Sequence, residues 1–150
     1  MTIAVDSNVL VYALDRAGGD KHDIAREVML RGLDADLIIP AQVLAEFINV
    51  VRRKQASAYP EAVAQAEEWH TTFLIVDTTA ADVLNAARFA GKHKLQLWDG
   101  LVWQIARRGG AEWLLTEDLQ DGLGLEGLTA LNPFQAANRA KLDELLQPRG

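Results

Sequence analysis

The sequence contains no cysteine. That excludes disulfide scaffolds, thiol nucleophiles, iron–sulfur clusters and cysteine-ligated zinc together, and it suits a reducing, cytoplasmic setting. No uninterrupted apolar run approaches the roughly 18 residues of a membrane helix, so neither a leader peptide nor a membrane span is expected. Positive charge is scarce: 15 Lys and Arg stand against 21 Asp and Glu, for a net charge of −6. A chain that held nucleic acid by its own field would be basic. Here a polyanion would have to be met by a local basic patch or through bound cations. Internal repeats and low-complexity tracts are also absent.

What is present is an ordinary globular composition, 49% apolar and 24% charged over 150 residues. That is the size of one domain able to bury a core without staples. One domain over residues 1–150 is expected, with about 147–150 frayed. Short apolar runs alternate with helical patterns. Thr2-Ile3-Ala4-Val5, Leu37-Ile38-Ile39, Phe73-Leu74-Ile75-Val76, Trp113-Leu114-Leu115 and Leu128-Thr129-Ala130-Leu131 read as strands. Helices are predicted from Asp6, from Asp20 to about Leu33, and from Pro40 to Lys54. Others run from Pro60 to about His70, from Ala80 to Lys92, from Asp99 to Arg108, and from Phe134 to about Leu146. Strands separated by helices imply an α/β fold, with a central parallel sheet of four to five strands flanked by helices. Sites in such sheets lie beyond the carboxyl ends of the strands. Asp6 ends the first strand and Asp118 follows the fourth, so both belong on one rim.

Four acids stand out by context. Asp6 and Asp99 open helices, where a capping role alone would explain them. Glu46 borders the apolar stripe of its helix, and no Lys or Arg lies at the helical spacings that would pair it. Asp118 follows Leu114-Leu115-Thr116. If these carboxylates converge, each raises the proton affinity of the others. A divalent cation relieves that repulsion, and an all-oxygen donor set suits Mg²⁺ or Mn²⁺ rather than Zn²⁺.

The motifs around these acids resemble those of PIN-domain ribonucleases, in particular the VapC-type toxins of toxin–antitoxin pairs. The opening Asp6-Ser7-Asn8-Val9-Leu10-Val11-Tyr12-Ala13 is similar to the start of that family. Val43-Leu44-Ala45-Glu46-Phe47 resembles its second acidic motif and Trp98-Asp99-Gly100-Leu101-Val102 its third. Leu115-Thr116-Glu117-Asp118-Leu119-Gln120-Asp121-Gly122 resembles the fourth. The likeness covers essentially the whole chain. It implies a PIN-like fold, Mg²⁺- or Mn²⁺-dependent cleavage of RNA, a cognate antitoxin and a homodimer. On that likeness Asp6 and Asp99 are direct metal ligands, and Glu46 and Asp118 complete the acidic pocket. Asn8 and Thr116 orient carboxylates from behind, as metal sites require, and Asp121 assists Asp118. Glu117 is set aside as a ligand. Gly100 stands where Ala is the expected residue. Glycine is poor inside a helix, so the helix is expected to begin one residue later.

Cations gather only at Arg52-Arg53-Lys54, Lys92-His93-Lys94 and Arg107-Arg108, each at a predicted helix end where they complement the helix dipole. From Gly109 to Asn138 there are five acids and no Lys or Arg, which reads as a solvated acidic face. Trp98, beside Asp99, is a candidate stacking surface for an unpaired base. Two alternatives remain at this stage. A PIN-like module that binds RNA or a protein without catalysis would differ only in activity. A phosphoacceptor receiver domain would need a Lys at the end of a late strand, where this chain has Thr116 and Asn132.

Overall fold

The computed structural model describes all residues, Met1–Gly150. Three apolar residues form β1 (Ile3–Val5), fully buried because helices cover both faces of the sheet. Helices α1 (Ser7–Leu14) and α2 (Asp20–Gly32) lead to β2 (Leu37–Pro40). Next come α3 (Ala41–Lys54), α4 (Tyr59–Thr72) and β3 (Leu74–Val76). An α-hairpin of α5 (Ala80–His93) and α6 (Leu97–Arg108) precedes β4 (Trp113–Leu115). The chain ends with β5 (Gly124–Leu125), β6 (Leu128–Leu131) and α7 (Arg139–Leu145). No helix is long and apolar enough to cross a membrane.

The sheet runs β3-β2-β1-β4-β6-β5. Its first four pairings are parallel, with Ala4 opposite both Ile38 and Leu114 and Leu114 opposite Ala130. The sheet therefore has six strands rather than four to five, and the extra one is antiparallel: β5 pairs with β6 through Leu125 opposite Leu128. The two-residue link Glu126-Gly127 has φ of 54° and 84°. Positive φ at both turn positions is what a tight hairpin twisted like its strands requires. Two residues are too few to carry an alternating pattern, so β5 leaves no signal in the sequence.

Two helix starts differ from the sequence expectation. α6 begins at Leu97, two residues before Asp99, so Asp99 sits in its first turn and is not its cap. Gly100 does not delay the helix. A Cβ there would lie 3.2 Å from the Ala86 carbonyl oxygen and 3.2 Å from the Ala90 Cβ. Glycine lets α5 and α6 approach closely. α7 starts at Arg139 and not at Phe134, after a 3₁₀ turn at Ala136–Asn138. The Phe134 amide donates to the Asn132 side chain at 2.9 Å, and its ring meets Tyr12 edge-on with centroids 5.1 Å apart. A local side-chain bond of this kind competes with helix initiation.

The helix-end cations Arg107 and Arg108 have acidic partners in the fold. Thr79 caps α5 in a reciprocal capping box with Asp82, and Arg108 at the end of α6 grips the same carboxylate at 2.7 Å. That guanidinium holds the Asp82 carboxyl down at about 2, and it also reaches the Asp77 carbonyl. Arg107 binds Glu126 at 2.7 Å, and Lys21 binds Glu117 at 2.8 Å. The stretch from Gly109 to Asn138 is thus not one solvated acidic face, because two of its five acids are engaged by cations from elsewhere in the chain.

Candidate metal centre

The carboxyl ends of β1 and β4 meet at the rim that the alternation of elements predicts. Beyond β1, the Asp6 amide still donates to the Leu115 carbonyl at 3.0 Å, which keeps the two chains paired one residue past the strand. Asp6 then turns the chain into α1 as its N-cap. Its carboxylate is buried, 5% exposed for the residue as a whole. One oxygen accepts the Ser7 amide at 2.7 Å and the other accepts the Thr116 hydroxyl at 2.8 Å. Thr116 has no exposure. Its oxygen also receives the Asp118 amide at 3.1 Å and the Asn8 side-chain amide at 3.3 Å, which fills its bonding capacity. Asn8 donates as well to an Asp118 carboxylate oxygen at 3.1 Å, and its own carbonyl oxygen accepts the Glu117 amide at 3.4 Å. One network therefore joins Asp6, Asn8, Thr116 and Asp118.

Glu46 and Asp99 reach the same rim from α3 and α6, both half-buried. Gln42, one turn earlier on α3, donates to Glu46 at 3.4 Å. Burial pushes the Asp6 carboxyl up to about 7, against the pull of the Thr116 and Ser7 bonds, and the Glu46 and Asp118 charges add to the rise. Burial also raises Glu46, with Gln42 and Ser7 opposing and Asp99 and Asp118 reinforcing. Asp99 is raised by burial first and then by Asp118. Its place in the first turn of a helix should favour its charge, yet burial prevails. Glu46 and Asp118 lie within Coulombic range of each other, Asp6 within range of both, and Asp99 within range of both, and none of the four takes part in an ion pair.

The cluster is loose as a cage. No group of three acidic or histidine side chains closes to common ligand distance. The donors nevertheless suit a hard divalent cation: all are oxygens, they carry unpaired negative charge, and the innermost is destabilised as an anion. Asp121 is not brought in. Its carboxylate accepts from the Asn132 amide at 2.8 Å and from the Asn138 side chain at 3.0 Å, on the far side of its turn. The segment from Thr116 to Asp121 is bent rather than helical, so the spacing that would put Asp121 one helical turn from Asp118 does not apply. Glu117 turns away to Tyr12 and Lys21. Beside the acids lies a groove of about 230 Å³ whose lining includes Asn8, Asp118 and Lys54. Trp98 is exposed one residue before Asp99. Sequence reasoning missed the bond that Gln42 makes to Glu46. The four-residue spacing of Gln42 and Glu46 was the available signal.

The model of the PIN domain family matches residues 3–120. The chain belongs to the PIN domain family. That membership removes the phosphoacceptor receiver from consideration. No curated protein sequence matches this PIN domain significantly. Among solved structures it is similar to Mycobacterium tuberculosis VapC20, described as a sarcin–ricin loop cleaving toxin, at 19% identity and TM-score 0.64. That match covers 75% of this chain and 87% of the other. A toxin–antitoxin complex from Klebsiella pneumoniae gives 17% identity and TM-score 0.64, covering 88% and 98%. PAE2754 from Pyrobaculum aerophilum gives 16% identity and TM-score 0.63, covering 97% and 95%. At these identities the likeness is one of fold.

Proposed function

We propose that this PIN domain is a Mg²⁺- or Mn²⁺-dependent endoribonuclease, the toxin of a toxin–antitoxin pair. In this reading it acts in the cytoplasm as a homodimer held in check by a cognate antitoxin. The observation that supports it best is the set of four carboxylates gathered at one rim without a cationic partner, one of them pushed to about 7. Asp6 and Asp99 hold the metal directly, and Glu46 and Asp118 complete the donor set. A bound divalent ion supplies Lewis acidity to a phosphodiester and a water acidic enough to attack at neutral pH. Thr116 fixes the Asp6 carboxylate by its hydroxyl, and Asn8 aims Asp118. Asp121 acts at one remove, tying the segment behind Asp118 to Asn132 and Asn138. Lys54 borders the acidic groove and offers a cation to an RNA phosphate, while Trp98 offers a face for an unpaired base. Similarity to named toxins and to toxin–antitoxin complexes supports the antitoxin partner.

Cleavage of single-stranded RNA by Asp6→Asn, Glu46→Gln, Asp99→Asn and Asp118→Asn tests the reading. Each should lose at least about tenfold in kcat/KM, and excess EDTA should abolish the parent's activity. Undiminished cleavage in EDTA, or full activity in Asp99→Asn, overturns the assignment. Absence of any cleavage by the parent with Mg²⁺ or Mn²⁺ would leave a binding module instead. Expression should arrest growth of a host cell, and Asp6→Asn should relieve that arrest.

A further inference from the structure

Glu117 precedes Asp118 and is excluded as a ligand by its own contacts. The Tyr12 hydroxyl donates to one of its carboxylate oxygens at 2.7 Å, and the Lys21 ammonium donates to the other at 2.8 Å. Lys21 also lies 5.1 Å over the Tyr12 ring and 5.7 Å over the Phe134 ring. Tyr12 and Phe134 pack edge to face. Four segments thereby meet around the Lys21 side chain: α1, its own α2, the bend after β4 and the approach to α7.

The bend itself has little to hold it. Residues 117–119 belong to no helix or strand. From the inner side they are fixed by Thr116 and Asn8, and from the outer side by the grip of Tyr12 and Lys21 on Glu117. The rest of the assembly anchors Tyr12 and Lys21: both are on helices, and the Tyr12 carbonyl oxygen contacts the His22 ring at 2.8 Å. The Tyr12 hydroxyl titrates above its ordinary range because of its bond to Glu117, as a donor to a carboxylate must.

We propose that Tyr12 and Lys21 are positioning residues that act through Glu117 to hold Asp118 at the metal centre. The same grip keeps a fifth carboxylate from competing for the ion. The inference rests on the metal-dependent reading of the four acids, and it gives Glu117 a role that its exclusion as a ligand does not supply.

The test is Mg²⁺ affinity by calorimetric titration, together with kcat and KM on a short single-stranded RNA, for Tyr12→Phe, Lys21→Met, Glu117→Ala and Glu117→Gln. Tyr12→Phe keeps the ring and removes only the hydroxyl, so folding is preserved. Losing a direct partner of a metal ligand costs about 10–100-fold in affinity or activity, and Tyr12 and Glu117 act one step further out, so a smaller effect is expected. Tyr12→Phe and Glu117→Ala should therefore weaken Mg²⁺ binding and lower kcat by roughly 3–10-fold, with KM for RNA within about twofold. Glu117→Gln, whose carbonyl still accepts from Tyr12, should recover part of the loss. In an Asp118→Asn background Tyr12→Phe should have no further effect on Mg²⁺ affinity, because the two act as one unit. A fall in Tm with Mg²⁺ affinity unchanged overturns the proposal, and so does an equal loss in the Asp118→Asn background. If the parent binds Mg²⁺ but cleaves no RNA, the nuclease reading falls and the affinities alone decide the positioning role. If the parent binds neither Mg²⁺ nor Mn²⁺ in the same titration, both fall.

Discussion

At the scale of a single residue, Asp6 is placed where stability and function conflict. Its carboxyl titrates near 7 in the folded protein against an ordinary 3.8, chiefly because it is buried. The unfolded chain therefore releases this proton at lower pH than the folded chain does. Between those two values the folded state binds more protons, so stability falls as pH rises. The contribution is fully present below about pH 4 and is lost as pH approaches the folded value. A tenfold change in proton affinity is worth ~1.4 kcal/mol, so the loss amounts to a few kcal/mol. In EDTA, Asp6→Asn should flatten the dependence of Tm on pH between about 4 and 7 and should melt above the parent at pH 8. Asn is an equally good N-cap through its carbonyl oxygen. Its amide would face a Thr116 oxygen whose lone pairs are already taken, so one bond is lost, at about 1 kcal/mol, less than the strain relieved. Parallel pH profiles for the two proteins would mean that Asp6 is not strained as an anion. A site that holds an acid in this state is costly to fold unless a cation compensates, which is the usual mark of a functional position.

At the scale of elements, the α5–α6 hairpin carries Asp99 to the rim. Its geometry depends on Gly100, where a Cβ would press on the Ala86 carbonyl and the Ala90 methyl, each at 3.2 Å. Ala would gain about 1 kcal/mol in helix propensity. It would also have to move helix backbone, and overpacking of that kind costs about 1–3 kcal/mol. Gly100→Ala should therefore lower stability by about 1 kcal/mol in a urea titration, and it should weaken Mg²⁺ binding because Asp99 is the adjacent residue. A rise in stability would show that the hairpin can open without penalty. The opposite end of the hairpin is held by Arg108 on Asp82, so the strain cannot be relieved by sliding one helix along the other.

At the scale of the whole molecule, four acids, from the residue that follows β1, from α3, from α6 and from the bend after β4, are collected at one rim of the sheet. Their repulsion opposes folding, and the proposed cation would relieve it. Mg²⁺ at ten times its Kd should stabilise the protein by about 1.4 kcal/mol. For a chain of this size that is a rise in Tm of roughly 3–6 °C. Asp99→Asn should melt no lower than the parent in EDTA and should respond less to Mg²⁺. Acids that merely decorate a solvated surface would give a shift no larger than a monovalent salt of equal ionic strength.

The sequence by itself determined the alternation of strands and helices, the parallel core of the sheet and the rim where Asp6 and Asp118 meet. Those features are local. Apolar runs such as Ile3-Ala4-Val5 must be covered on both faces, and a strand end fixes which acids point past it. Tertiary structure alone decided where α6 begins, because the glycine that weakens the helix locally is what lets α5 approach it. It alone decided that Asp121 bonds to Asn132 and Asn138 while Glu117 turns to Tyr12 and Lys21. These partners lie 11 to 105 residues apart in sequence, as Asn132 does from Asp121 and Tyr12 from Glu117. A carboxylate's character is set by what surrounds it in space. Near-identical acids at positions 117, 118 and 121 thus acquire different roles only when the chain has closed around them.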